Sequence, residues 1–204
     1  GTFDGNKKTI SGIYCSESTR FAGLFGDIGA ATIKNLTIAN SHFESTMTSG
    51  SANLGAVTGR NGAATFTNVQ VTSDVVVKAG KATFVGGITG MTNGNTTMQD
   101  CVCEATIISG GDEVGGLIGY TNAGETTITR CKSASTIMKS AGNGNGGLIG
   151  KMNAGTVDII QCMNAGTITI TGGAQTGGLI GLVQGGTLTL TDCMNAGAMN
   201  CTGD

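Results

Sequence analysis

The hydrophobic positions keep a beat of roughly 31 residues, and within each beat they follow a period of two. Val157 and Ile159 alternate with polar or outward positions, and Leu188 and Leu190 repeat that arrangement one beat later. Alternation of this kind predicts half-buried β-strands, because successive strand side chains point to opposite faces. Each such run ends in an aliphatic residue followed three positions later by a small apolar one. The pairs are Ile33 and Leu36, Phe66 and Val69, Met98 and Cys101, Ile128 and Cys131, Ile159 and Cys162, and Leu190 and Cys193. A spacing of three cannot stay on one face of a straight strand, so a corner or bulge lies between the two residues. The intervening residue is Asn35, Asn68, Asp100, Arg130, Gln161 or Asp192. Asn and Asp suit a left-handed corner, whereas Arg130 and Gln161 fit less well. A further β-like run follows, as in Val75 to Val77, Ile107, Ile168 and Ile170, and Met199 and Cys201. Each repeat therefore reads as three short strands separated by Gly- or Asn-rich bends.

A second landmark keeps the same interval. GLFG at Gly23–Gly26, GAVTG at Gly55–Gly59 and GGITG at Gly86–Gly90 precede three copies of GGLIG, at Gly115–Gly119, Gly146–Gly150 and Gly177–Gly181. The repeats thus begin near 23, 55, 86, 115, 146 and 177, after a partial first coil over 1–22 in which Ile10, Gly12 and Ile13 fit the template. No helical period is present. Short strands at a fixed interval predict a chain that winds into coils and stacks them, since one coil cannot bury its own apolar face. The expected fold is all-β: a parallel β-helix (β-solenoid) of six to seven coils, right-handed by the usual twist and crossover preference. The pattern is unbroken at both ends, and we read 1–204 as a single repeat domain belonging to a larger protein.

Composition agrees with this reading. Gly supplies 37 of 204 residues, Pro and Trp are absent, and aromatics make up 4%. A core with few large rings must rely on Ile, Val, Thr and Ala, with Gly at bends. The net charge of −2 and the lack of a basic patch give no attraction for nucleic acid. No stretch is apolar enough for a transmembrane helix.

GGLIG, then NAGT, then an aliphatic residue three places before Cys, then NAGT again resembles the GLUG-motif repeat family. The resemblance is closest over Gly115–Gly119, Gly146–Gly166 and Gly177–Gly197, and weakens upstream, where Val69 replaces the Cys. The opening FDGNKKTISGIY from Phe3 is also similar to the start of such arrays. The resemblance implies a bacterial protein, secreted or at the cell surface, often adhesin-like, in which the array is a stalk or a surface for host or carbohydrate ligands. It supplies no catalytic residues. In some members a peptidase domain sits beside the repeats.

Cys101, Cys131, Cys162 and Cys193 follow the repeat interval, and Leu36 and Val69 fill the same slot earlier. An inward ladder of small apolar side chains is expected, with Cys15 and Cys201 buried too. Disulfides between coils compete with that reading, but in-register parallel side chains are poorly aimed for them. Cys101-Val102-Cys103 has no partner pair and no nearby His for a metal. His42, the one histidine, is expected on a turn between strands. Asp100 and Asp192 are expected at corners and Asp158 outward in a strand. Asp112, Glu113 and Asn143 could meet across adjacent coils as a weak Ca²⁺ site. Thr127 and Thr129 align with Thr189 and Thr191, and Thr167, Thr169 and Thr171 alternate, as ice-binding ladders do, although Asp158 and Ile160 interrupt the first set. No catalytic, metal or cofactor site is assigned.

One question stays open at this level. If alternation holds through the glycine motif, Leu24, Ala56, Ile88, Leu117, Leu148 and Leu179 face in. Phe25, Val57, Thr89, Ile118, Ile149 and Ile180 then form an outward apolar stripe suited to self-association. A glycine bend would turn both sets inward, and the flanking glycines favour the bend. The function expected is a non-catalytic structural or adhesive module. A fragment of a polysaccharide-processing enzyme or surface peptidase, or an ice-binding solenoid, are the alternatives.

Overall fold

The computed structural model describes residues 1–204 except 49, 50, 82, 83, 141, 174, 203 and 204. The chain is all-β and winds as a parallel solenoid whose strands stack coil upon coil into three sheets. One sheet holds seven strands in strict chain order, from Tyr14–Glu17 to Met199–Cys201. A second holds six, from Phe21–Ala22 to Thr176–Gly177. The third is the largest, with fifteen. The register is one coil per step: Ile137 lies between Ile107 and Ile168, and Ile128 between Met98 and Ile159. Three sheets surround one core, but later coils cut the path into five short strands rather than three. One coil runs through Glu113–Gly115, Ile118–Thr121, Glu125–Thr129, Lys132–Ser133 and Thr136–Lys139.

The corner between the paired landmarks is left-handed in every coil that carries it. Asn35, Asn68, Asp100, Arg130, Gln161 and Asp192 all have φ between 50° and 54°. Arg130 and Gln161 adopt this conformation despite their side chains, because the stack imposes one backbone path on all coils. The side chains then interlock along the axis. Asn68 Nδ2 donates to Asn35 Oδ1 at 3.1 Å, Asn35 Nδ2 donates to Asp4 Oδ1 at 3.1 Å, and Arg130 grips Asp100 with contacts of 2.7 and 2.9 Å.

The first coil has a different register from the one expected. Phe3, not Ile10, stands under Ile33, and Ile10 pairs with Ile38. The corner falls at Asn6 and Lys7, both with positive φ, and a bulge between Asp4 and Lys8 shifts the frame.

The glycine motif bends the chain, so both of its apolar residues enter the core. Ile88, Thr89, Leu117, Ile118, Leu148 and Ile149 have no solvent exposure. The bend favoured by the flanking glycines is the one that forms, and the alternative outward stripe, with the self-association surface it would have offered, does not. The frame in the second repeat also shifts by one: Thr58 aligns with Phe25 and Thr89, so Thr58 rather than Val57 holds the fourth place. Close approach explains the glycines. A Cβ on Gly115 would overlap the carbonyl oxygen of Ile118, and one on Gly116 would overlap Ser133 Oγ. Each coil depends on its neighbour for cover. Ile159 is fully buried, whereas Leu190, its equivalent in the last coil, is 46% exposed.

Candidate functional site

Cys101, Cys131 and Cys162 are buried in one inward column, Cys193 continues it half-buried, and all seven cysteines are free thiols. Sulfur does more there than fill space. The backbone N–H of Cys101 donates to Cys131 Sγ, and that of Cys131 to Cys162 Sγ, each at 3.3 Å. The thiols contact carbonyls before the corner: Cys131 that of Thr129 at 3.3 Å, Cys162 that of Ile160 at 3.2 Å. The column thus satisfies backbone groups that the left-handed corner takes out of the ladder. Hydrogen bonding with Cys101 pushes the Cys131 thiol up to about 12, and bonding with Cys131 together with burial raises Cys162 as well. Burial lifts Cys103 to about 11. These are inert protonated thiols, not nucleophiles. Cys15 is half-buried and Cys201 is exposed, against the expectation that both would be buried. Cys201 follows Ile170 in register.

His42 opens the strand His42–Ser45 and is not on a turn. Its ring stacks on Tyr14 at 5.3 Å between centroids, and Nε2 lies 3.3 Å from Glu44 Oε2. Glu44 also receives Lys78 Nζ at 2.8 Å, which holds its carboxyl below the usual range. Tyr14, His42, Glu44 and Lys78 form a small surface patch on the first three coils of the seven-stranded sheet.

The residues weighed for Ca²⁺ are answered by lysines instead. Lys151 Nζ lies 3.3 Å from Glu113 Oε1, and Lys139 Nζ donates to the Asn143 carbonyl at 3.2 Å. Among the described residues no cluster of three or more His, Cys, Asp or Glu could hold a metal. Burial raises the Glu113 carboxyl despite Lys151, and Glu113 Oε2 is buried without a hydrogen bond.

Glu113 belongs to a longer feature that alternation alone did not reveal. Two columns run side by side, and each member of the first touches the next coil's member of the second. Arg60 lies 4.4 Å over the Phe21 ring, Asn53 Nδ2 contacts Met91 Sδ at 3.3 Å, Phe84 stacks on Tyr120 at 4.2 Å, and Glu113 pairs with Lys151. Arg60 is further held by Asp27 Oδ1 at 3.0 Å. The aromatic faces are spent within this zipper, so it braces the stack along its axis. Its signal in the sequence is a separation near 38 residues, one beat plus the width of the glycine bend.

The threonine ladder is longer than the sequence implied. Thr2, Thr32, Thr65, Thr97 and Thr127 stand in register on five successive coils before Asp158 breaks the column. The structure places Asp158 outward in the strand Thr156–Ile160, and Asp100 and Asp192 at left-handed corners, as expected. Among the described residues no helix is long and apolar enough to cross a membrane. Comparison of the chain with known protein families, with curated proteins and with solved structures finds no match to any of them.

Proposed function

We propose that this chain is a non-catalytic structural or adhesive module of a secreted or cell-surface protein, acting first as a rigid stalk. The observation that carries the reading is the unbroken register of the seven-stranded sheet, one strand per coil, braced outside by the Phe21–Lys151 zipper. A rod built this way resists bending because each coil is hydrogen-bonded to both neighbours at about 4.8 Å spacing. The resemblance of GGLIG and NAGT to GLUG-motif repeats supports the surface assignment. Binding of host or carbohydrate ligands, where it occurs, falls on the exposed sheet faces. The purified chain is to be offered to a glycan and matrix-protein array and to polysaccharide and peptide substrates. A blank array supports the stalk, specific retention supports the adhesive form, and turnover of any substrate overturns both.

A second reading rests on the five-coil threonine column. Regularly spaced Thr hydroxyls on a flat parallel face can order water, and thermal hysteresis of the chain in ice-containing solution would establish ice binding. A Thr65→Tyr and Thr97→Tyr double variant should abolish that hysteresis, and freezing without hysteresis in the parent chain eliminates this reading.

A further inference from the structure

We propose that the side chains of Lys139 and Asn145 condense spontaneously into an amide bond that staples one coil from the inside. Both residues occupy positions that other coils give to the core. Lys139 lies in register with Ser109 and Ile170, and Asn145 with Val114. Lys139 is 4% exposed and Asn145 is fully buried. An ammonium group in such a place is costly to desolvate, and burial brings the Lys139 amine down to about 8, so the neutral nucleophilic form is accessible.

The geometry supplies the rest. Lys139 Nζ lies 2.5 Å from Asn145 Oδ1. The carbonyl bond is about 1.2 Å long, so Nζ is at most about 3.7 Å from the amide carbon, close to the separation of a near-attack arrangement. Asn145 Nδ2 donates to Thr176 Oγ1 at 3.2 Å, which fixes the amide plane and sets a hydroxyl beside the leaving nitrogen. The neutral amine adds to the Asn145 carbonyl carbon and forms the new C–N bond. One amine proton is transferred to Nδ2, the Cγ–Nδ2 bond breaks, and ammonia departs. No oxidant, reductant or cofactor enters the balance. The product is a neutral secondary amide, which removes the buried charge altogether.

Intact mass spectrometry of the folded, then denatured chain tests this. The mass is expected to fall short of the sequence by one ammonia. Trypsin should leave residues 133–151 as a single peptide, uncut after Lys139, with fragments branching at Lys139 and Asn145. Asn145→Asp should lose one water instead, and Lys139→Met should show its full mass. Asn145 precedes Gly146, and a succinimide there would also release ammonia. A loss that persists in Lys139→Met therefore overturns the proposal, as does a full mass for the parent chain after prolonged incubation.

Discussion

Cys131 and Cys162 sit one above the other, and the backbone N–H of the first donates to the sulfur of the second at 3.3 Å. Valine already fills this slot at Val69, so size and apolarity alone do not account for the thiols. Cys131→Val should keep the packing but strip the acceptor from the buried Cys101 N–H. An unsatisfied buried donor costs about 1–3 kcal/mol. Urea unfolding should show a loss in that range, and a neutral result would mean that the thiol acts only as a small hydrophobe.

The same column predicts a pattern of reactivity. Iodoacetamide added to the native chain near neutral pH should label Cys201, which is exposed, and spare Cys103, Cys131 and Cys162, which are buried with raised thiol pKa values. Peptide mapping of the alkylated protein checks this. Rapid labelling of Cys131 before unfolding would contradict the inward column.

Glycines in this chain divide into two kinds. Gly116 faces Ser133 Oγ and the Gly147 carbonyl so closely that a methyl group cannot fit, while nothing lies within 4 Å of a Cβ on exposed Gly29. Gly116→Ala should destabilise by about 1–3 kcal/mol or more through overpacking. Gly29→Ala should be neutral or gain up to about 1 kcal/mol by narrowing the unfolded ensemble. Thermal melting of the two variants beside the parent gives the comparison, and equal effects would remove the close-approach explanation of the glycine motif.

Much of this architecture was written in residues whose roles repeat. The glycines set the interval, and the polar residue between Ile128 and Cys131 marked the left-handed corner because no other path serves a spacing of three. Where the frame slips by a residue, local pattern misleads. GAVTG offers Ala56 and Val57 as the inward and outward pair, yet the register selects Val57 and Thr58, since hydrogen bonds to neighbouring coils decide the frame. The bulge after Asp4 hid the role of Phe3 in the same way. Lys139 was missed for a different reason. Its parity with Ile137 placed it inward, but a lysine is ordinarily read as solvated, and only the proximity of Asn145 shows how the core accommodates it. The zipper from Phe21 to Lys151 needed coordinates, because its contacts join different positions of successive coils.

Gln161 occupies a left-handed corner at φ 54°, a conformation that costs an ordinary L-residue about 1–2 kcal/mol. Gln161→Gly should remove that strain and add some unfolded-state entropy, for a net gain of up to about 1 kcal/mol. Arg130→Gly is the matched control, because it relieves the same strain while losing the ion pair with Asp100. Denaturant midpoints should rank Gln161→Gly above Arg130→Gly. A Gln161→Gly midpoint at or below that of the parent would show that the corner imposes no strain worth relieving.

Glu113 makes the stability of this stack depend on pH in the direction opposite to an ordinary paired carboxylate. Burial raises its carboxyl above the ordinary glutamate value of 4.5, Lys151 compensates only in part, and Oε2 has no hydrogen-bond partner. Between 4.5 and its raised native value, the folded chain keeps a proton that the unfolded chain has lost. Stability from this group is therefore complete below 4.5 and declines as the pH climbs through the native value. Asp100, held low by Arg130, works the other way and loses its contribution on acidification, so a bare pH profile would mix the two. Glu113→Gln isolates the effect. The amide keeps the shape, donates where the carboxylate could not, and does not titrate. Its unfolding midpoint relative to the parent should rise as the pH climbs above 4.5, where an unperturbed glutamate would be mostly ionised. A difference that stays constant across that range would mean that Lys151 fully compensates the buried charge, and the raised carboxyl would have to be abandoned.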